Sequence, residues 1–249
     1  MKITFLGTSH GDPTVDRYNA SFLLEAGEAG YLFDCGSPAT ASLVRRGFDF
    51  GRLRAVFISH MHLDHCADLP HLLKHLVKHK LKPRACLPDP AAVSPVDSLL
   101  RLAYPVPPDL EVTYQIIEPG RFFSDGSVSV TAVPTDHGRG KFPSYAFLIE
   151  GSGKKILYTG DLAADLSDFP VEAAQAADLC ICELTHAPPE TMEKKLRSLS
   201  LKRVIFTHIG PRYEKDGVLT LPQGLSFPVS AARDGDTVTV EQRGIPGIA

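Results

Sequence analysis

The sequence contains no apolar stretch long enough to cross a membrane and no block of basic residues. A membrane-spanning helix needs roughly 18 consecutive apolar residues, and the apolar run near the N-terminus is also far shorter than the core of a signal peptide. Broad nucleic-acid surfaces need clustered lysine and arginine, whereas this chain has a formal net charge of −3. We therefore expect a cytoplasmic protein with no membrane partner and no extended nucleic-acid surface.

Cysteine is scarce, and the five cysteines are an odd number without the regular spacing of a disulfide framework. Reduced thiols are the simpler interpretation, as in most cytoplasmic proteins. No linker rich in proline, glycine or serine divides the 249 residues, and 43% of them are hydrophobic. Because a chain of this size can bury a sizeable core, we predict a single domain over residues 1–249.

Short apolar runs bounded by turn residues predict a chain rich in β-strands. The predicted strands are residues 2–6, 21–25, 30–33, 55–58, 85–87, 112–117, 128–133, 145–150, 155–158, 179–182, 203–206 and 237–241. Helical patterns cover residues 38–46, 69–80, 95–103, 170–177 and 189–198. The strands occur in adjacent groups rather than in strict alternation with helices, which favours an α/β fold of mixed sheets with helices on their outer faces.

Residues able to bind metal directly follow several of these strands. They are His60, His137, Asp161 and His208, and each comes just after an apolar run. Strand ends are stiff, so they can hold a metal cluster with little cost in ordering. Four strands are therefore predicted to deliver ligands at their carboxyl ends.

The segment 59–65, Ser-His-Met-His-Leu-Asp-His, carries the strongest chemical signal. It places three imidazoles and one carboxylate within six residues, a set that suits zinc and also manganese or iron. On an extended backbone His60 and His62 can point toward one ion. Asp64 and His65, at the turn into the next helix, can reach a second ion. A loop with chance histidines is the alternative.

With its H-x-H-x-D-H pattern, this segment resembles the signature of the metallo-β-lactamase superfamily. Other segments resemble that superfamily in the same order along the chain: the opening strand and loop at 5–8, the D-x-G turn at 34–36, and later motifs at 135–138, 159–161 and 207–213. The last motif is similar to the form in ribonuclease Z and its small phosphodiesterase relatives. The resemblance implies a four-layer αβ/βα sandwich of two mixed β-sheets with outer helices, and a metal centre at one edge.

The resemblance also implies two divalent metal ions, with zinc favoured over manganese or iron. Carried over position by position, the ligands are His60, His62 and His137 for one ion, Asp64, His65 and His208 for the other, and Asp161 between them. A metal-bridging water would have its pKa lowered to about 7 and act as nucleophile, and Asp64 would orient it or accept its proton. Asp34 would support the ligand histidines from beneath, although a plain structural turn explains it almost as well.

The segment 183–185, Glu-Leu-Thr, resembles a Glu-x-Thr element of the ribonuclease Z branch, and His186 lies 22 residues before His208. In those phosphodiesterases a histidine upstream of the last ligand donates a proton to the leaving oxygen. The resemblance therefore implies a general-acid role for His186, with Glu183 as a supporting residue. A surface loop histidine is the alternative.

Two departures from ribonuclease Z bear on the substrate. Only 23 residues separate His137 from Asp161, too few for the flexible basic arm that grips tRNA, and the loop at 13–19 keeps proline, arginine and asparagine but has no lysine. We therefore expect a smaller phosphodiester: a cyclic nucleotide, a cyclic sugar phosphate or a short oligonucleotide. Candidate phosphate contacts are Arg17, Arg139, Lys141 and Arg212, and each could instead be a solvated surface charge.

Three other functions stay open: hydrolysis of a lactone, carboxyl ester or thioester on the same site, tRNA 3′-end cleavage of the ribonuclease Z type, and metal binding without catalysis. A homodimer is a further expectation, since dimers are common among such relatives.

The predicted helix 69–80 also presents His71, His75 and His79 on one face, because residues four apart are neighbours on a helix. They form either a third metal site or, more simply, a solvent-facing row.

Overall fold

The computed structural model describes residues 1–12, 14–82, 84–103 and 112–241, so Pro13 of the loop at 13–19 lies outside the described residues. The strands in chain order are β1 (Lys2–Gly7), β2 (Ser21–Ala26), β3 (Ala29–Phe33), β4 (Leu53–Phe57), β5 (Arg84–Leu87), β6 (Thr113–Ile116), β7 (Gly120–Ser124), β8 (Val128–Thr135), β9 (Ser144–Gly151), β10 (Lys154–Tyr158), β11 (Leu179–Leu184), β12 (Val204–Ile209), β13 (Glu214–Lys215), β14 (Val218–Leu219), β15 (Val229–Ala231) and β16 (Thr237–Thr239). The helices are α1 (Ala39–Arg45), α2 (Leu63–Cys66), α3 (Leu69–Lys78), α4 (Val93–Ala103), α5 (Val171–Ala176) and α6 (Pro189–Arg197), with single 3-10 turns at Phe50–Arg52 and Pro90–Ala92.

These strands form two mixed seven-stranded sheets and one short hairpin, β13–β14. The first sheet has the order β16-β1-β2-β3-β4-β5-β6, and the second has the order β15-β12-β11-β10-β9-β8-β7. In the first sheet β1, β2 and β3 are antiparallel neighbours, and β3 to β6 run parallel. In the second sheet β7 to β10 are antiparallel, and β10, β11, β12 and β15 run parallel.

The core lies in three layers of side chains, because alternate residues of a strand point to opposite faces of its sheet. Aromatic rings fill the space between the sheets: Phe33 stacks on Phe57 with ring centroids 4.9 Å apart and lies 5.8 Å from Phe147 of the other sheet. Helices α1, α3 and α4 pack on the outer face of the first sheet. Helices α5 and α6 cover the second. This arrangement confirms the predicted four-layer sandwich.

The sequence prediction missed four short strands, β7, β13, β14 and β15, which have only two to five residues each. Such segments lack the longer apolar run that marks a strand in a sequence. β7 and β15 become strands because a longer neighbour, β8 or β12, offers its free backbone groups, whereas β13 and β14 pair with each other as a short hairpin. Across the described residues, no helix combines the length and the apolar character needed to cross a membrane.

The strand ends position the predicted ligands. Strands β4, β8 and β10 end within three residues of His60, His137 and Asp161. His208 instead lies inside β12, one residue before its end. There the β11–β12 register shifts, and His208 has a φ of 53°, in the left-handed region. A bulge of this kind re-aims a side chain, which brings the His208 imidazole to the other ligands.

Candidate metal centre

The first group of ligands contains three imidazoles from two different parts of the chain. His60 Nε2 lies 3.0 Å from His62 Nδ1, and His137 Nε2 lies 3.2 Å from the same His62 nitrogen. Asp161 Oδ2 is 3.6 Å from His60 Nε2 and 3.7 Å from His137 Nε2. These four side chains therefore converge closely enough to hold one metal ion.

The second group contains a carboxylate and two imidazoles. Asp64 Oδ2 lies 3.2 Å from His65 Nε2 and 3.1 Å from His208 Nε2, and the two imidazole nitrogens are 3.2 Å apart. Asp161 Oδ1 lies 3.4 Å from His65 Nε2 and 3.6 Å from His208 Nε2. All seven predicted ligands are thus brought together, and Asp161 belongs to both groups.

Asp161 has the surroundings of a carboxylate that bridges two cations. Its side chain is buried, and Oδ1 has no hydrogen-bond partner within the described part of the chain. Burial alone would raise the pKa of Asp161, but the charges of His208 and His65 outweigh it and lower the pKa well below its usual value. An ionised, buried oxygen without a donor needs a positive partner, so the residues fit a pair of divalent ions.

Two imidazoles of the first group, those of His60 and His137, are in the protonation state that metal binding requires. Burial lowers the pKa of His60 well below its usual value, and the charge of His65 adds to this effect. Burial also lowers the pKa of His137. Neutral imidazole is the form that coordinates metal, and a set of imidazole and carboxylate ligands suits zinc, manganese and iron.

Asp34 lies directly beneath the second group. Its Oδ2 accepts hydrogen bonds from Tyr158 Oη at 2.6 Å and from Ser59 Oγ at 2.9 Å, and lies 2.7 Å from His65 Nδ1. Its Oδ1 accepts a hydrogen bond from Ser59 N at 2.7 Å. A carboxylate that receives the Nδ1 proton leaves Nε2 free to face the metal. This is the supporting contact that the resemblance implies for Asp34.

Glu183 organises the loop that carries His186. The buried Glu183 carboxylate accepts hydrogen bonds from the backbone N–H groups of Leu162, Thr185 and His186, at 3.2, 2.7 and 3.1 Å. Its Oε1 also lies 2.9 Å from His186 Nδ1. The other ring nitrogen, His186 Nε2, lies 3.8 Å from Asp161 Oδ2. Burial lowers the pKa of His186, but the hydrogen bond and charge of Glu183 outweigh it and raise the pKa to about 9.

A cavity of about 380 Å³ opens beside the ligands. Its lining residues are His137, Arg139, Leu162, Ala163, Ala164, Thr185, His186, Pro211 and Arg212. Arg212 Nη1 donates a hydrogen bond to the His186 carbonyl at 3.1 Å, and both arginines are exposed. Arg139 and Arg212 are therefore placed where an anion entering the cavity would meet them.

Two of the predicted phosphate contacts lie elsewhere. Arg17 is buried and donates to the Glu214 carboxylate at 2.8 Å, to Thr8 Oγ1 at 2.8 Å and to the Ala232 carbonyl at 2.9 Å. These contacts occupy its guanidinium with protein atoms, so the phosphate contact predicted for Arg17 is replaced by a structural role. Lys141 is exposed and does not line the cavity.

Sequence reasoning missed several residues that shape the centre. The Phe142 ring lies 4.9 Å from the His62 ring and 6.0 Å from the His137 ring. His10 is half-buried near the second group, where its pKa is lowered by burial and then by the charge of His208. Gly11 follows it, and a Cβ there would lie 3.8 Å from Asp64 Oδ2. In the sequence, the position of His10 two residues after the opening strand and loop at 5–8 was the one sign that it lies near the centre.

Comparisons of sequence and of structure find known proteins that are similar to this chain. The ribonuclease Z of Methanothermobacter thermautotrophicus is 23% identical over 97% of this chain and 96% of its own length. The crystal structure of the short form of human tRNase Z, ELAC1, has a TM-score of 0.76 and 23% identity, and the match covers 97% of this chain and 100% of that one. The metallo-β-lactamase fold protein YhfI from Bacillus subtilis has a TM-score of 0.75 and 21% identity, with coverage of 95% and 98%. These structures confirm the metallo-β-lactamase fold.

The family assignment rests on a match to a family profile that covers most of the chain. The sequence profile of the family described as Anti-Pycsar protein Apyc1 matches residues 1–215. That range contains all seven ligands, His186 and both cavity arginines. The chain therefore belongs to the Anti-Pycsar protein Apyc1 family, and its fold is the metallo-β-lactamase fold.

Proposed function

We propose that this protein is a phosphodiesterase that hydrolyses a small phosphodiester such as a cyclic nucleotide, a cyclic sugar phosphate or a short oligonucleotide. The observation that carries the proposal is the cavity of about 380 Å³ that joins His137 and His186 to Arg139 and Arg212. Ligand pockets for small molecules have volumes of roughly 300–1,000 Å³. A cavity at the lower end of that range, with two arginines, suits one small anionic group better than a folded RNA.

The metal ions of the proposal are two zinc ions, with manganese and iron as alternatives that the same ligands accept. Bound ions would activate water near neutral pH and neutralise charge on the phosphoryl oxygens. The chain itself contributes the geometry that such ions need. Asp161 spans both groups, and Asp34 orients His65. Asp64 has one oxygen within 3.2 Å of two imidazoles, and we assign it the further role of orienting the attacking water.

His186 is the proposed proton donor to the leaving oxygen. Glu183 holds Nδ1, so the ring presents Nε2 toward Asp161 and the cavity. A substrate whose phosphorus lies over the metal centre would place one ester oxygen in the cavity, within reach of that nitrogen. A positioned general acid typically accelerates a reaction by about 10²–10⁴-fold.

Arginine side chains supply the proposed substrate contacts. Arg139 and Arg212 line the cavity, and guanidinium groups bind phosphate oxygens through paired hydrogen bonds. Lys141, which lies two residues beyond Arg139, is proposed only as a weaker contact. Arg17 is not included, because Glu214 and backbone atoms occupy its guanidinium.

tRNA 3′-end cleavage is the second candidate. It is favoured by the likeness to a ribonuclease Z that extends over 97% of this chain. Against it, the 23 residues between His137 and Asp161 leave no room for a tRNA-gripping arm. In the described structure this interval is filled by β9, β10 and short turns.

Activity measurements on the metal-loaded protein test the proposal. We expect hydrolysis of bis-(p-nitrophenyl) phosphate and of at least one cyclic nucleotide, with a higher kcat/KM than for precursor tRNA or for any member of a lactone panel. The His186→Asn variant should lose about 10²–10⁴-fold in kcat while it retains both metal ions. His71→Gln, at an exposed histidine of α3, is the matched control and should be unaffected. Faster turnover of a lactone or of precursor tRNA would contradict the proposal.

A further inference from the structure

A second group of imidazoles lies on α3, apart from the seven-ligand centre. His71, His75 and His79 follow one another at intervals of four residues, so they line one face of the helix. His71 and His79 are exposed, whereas His75 is half-buried against the Phe50 ring, with centroids 4.4 Å apart. None of these residues belongs to either ligand group at the strand ends.

His75 and His79 form a pair with the spacing of imidazoles that share an ion. Their ring centroids are 4.7 Å apart and their planes are inclined by 48°. Within the metal centre the corresponding distances are 4.6 Å for His60 and His62 and 4.9 Å for His60 and His137. The two rings on α3 are therefore close enough for side-chain rotation to bring one nitrogen of each to the same cation.

The third histidine of the row has a different partner. His71 Nδ1 lies 3.4 Å from Asp68 Oδ1, toward the start of the helix. No ring contact joins His71 to His75 within the described structure, whereas His75 contacts both Phe50 and His79. The pair at the end of the helix is therefore distinct from His71, which makes His71 a natural control.

The surroundings of the pair favour a bound cation in two ways. His79 occupies the position that ends α3, where the last backbone carbonyls carry a partial negative charge. The pKa of His75 is lowered by burial and then by the charges of His79 and Lys74. This ring is therefore neutral near neutral pH, which is the form that coordinates metal. Lys78 lies in the same turn, and its positive charge limits the affinity.

We propose that His75 and His79 form a solvent-facing transition-metal site, separate from the catalytic centre. Two imidazoles would bind the ion, and water would complete its coordination. Ions that favour imidazole, such as zinc, nickel and copper, suit the pair, whereas magnesium and calcium prefer oxygen ligands. The proposal does not depend on the hydrolytic reaction, because it uses no residue of the catalytic centre.

Nickel binding to the zinc-loaded protein tests this site. Isothermal titration with Ni²⁺ should detect one further ion per chain, with zinc retention checked by elemental analysis of the same samples. The five cysteines are all buried and do not compete. His79→Gln changes an exposed residue and should weaken Ni²⁺ binding about tenfold or more, because the second imidazole then no longer binds intramolecularly. His75→Gln should do the same.

His71→Gln is the matched control and should bind Ni²⁺ as the unsubstituted protein does. Untagged protein should also be retained on immobilised nickel, and His79→Gln should elute earlier. Unchanged Ni²⁺ affinity in His79→Gln would overturn the proposal, as would a loss in His71→Gln equal to that in His79→Gln. Circular dichroism of each variant confirms that the fold is retained, so that lost binding reports on the site.

Discussion

Replacing Asp34 with asparagine should weaken the second metal site through the tautomer of His65. Asparagine tolerates the positive φ of 54° at this position, so the backbone is not strained. If the amide oxygen keeps the hydrogen bond from Ser59 N, the NH₂ group faces His65 Nδ1. Nδ1 must then accept, and the ring proton moves to Nε2. That nitrogen is the one directed at Asp64, His208 and Asp161. The opposite amide orientation sets NH₂ against the Ser59 N–H, which cannot accept.

The expected effect follows from the loss of this one supporting contact. Changing a residue that orients a ligand histidine typically weakens metal binding by about 10–100-fold, which is about 1.4–2.8 kcal/mol at 25 °C. Zinc titration of the metal-free Asp34→Asn protein against a competing chromophoric chelator measures it. The first ion, held by His60, His62 and His137, should bind nearly as in the unsubstituted protein.

Tyr158→Phe is the matched control for that experiment. It removes the 2.6 Å hydrogen bond to Asp34 Oδ2 but leaves the carboxylate in contact with His65 Nδ1. Its effect on the second zinc affinity should therefore be smaller than that of Asp34→Asn. If Asp34→Asn binds both zinc ions as tightly as the unsubstituted protein does, the tautomer argument is refuted.

Three further substitutions separate substrate binding from stability. Arg212→Ala should raise the KM for bis-(p-nitrophenyl) phosphate about tenfold in steady-state assays, since a charged hydrogen bond contributes about 1.5–3 kcal/mol, with little change in unfolding temperature. Arg17→Ala should leave KM unchanged. It should lower the free energy of unfolding by about 2–4 kcal/mol in denaturant titrations, because the Glu214 carboxylate and the buried acceptor atoms lose their hydrogen-bond donor. Phe57→Ala should cost about 3–5 kcal/mol in the same titrations, because it opens a cavity among stacked rings.

Each of these predictions has an outcome that contradicts it. If the Arg17→Ala protein has normal stability and a raised KM, Arg17 contacts the substrate and its structural role is refuted. An Arg212→Ala protein with an unchanged KM would leave Arg139 as the only cavity arginine that contacts substrate. A Phe57→Ala protein with unaltered stability would show that the rings between the sheets repack without loss.

The sequence predicts well those parts of the site whose residues lie close together in the chain. His60, His62, Asp64 and His65 lie within six residues, so their chemistry is visible before any fold is known. His137, Asp161 and His208 are far from that segment in the chain. Their convergence on that segment was predictable because each follows or ends an apolar strand, in the order of motifs that the resemblance gives.

The parts that sequence predicts poorly depend on distant partners. Arg17 is committed to Glu214, a residue 197 positions away, and no local pattern reveals that pairing. The bulge that turns His208 inward depends on the register of β11 against β12. The short strands β7 and β15 exist only through their neighbours. A single domain over residues 1–249 and a homodimer stay predictions.

Metal content tests the central claim most directly. Protein stripped with chelator, reloaded with excess zinc and passed through gel filtration in metal-free buffer should retain two zinc ions per chain by elemental analysis. Because Asp161 belongs to both ligand groups, the Asp161→Ala variant should retain fewer than two. Unsubstituted protein that is folded but retains less than one zinc ion per chain would contradict the two-metal centre.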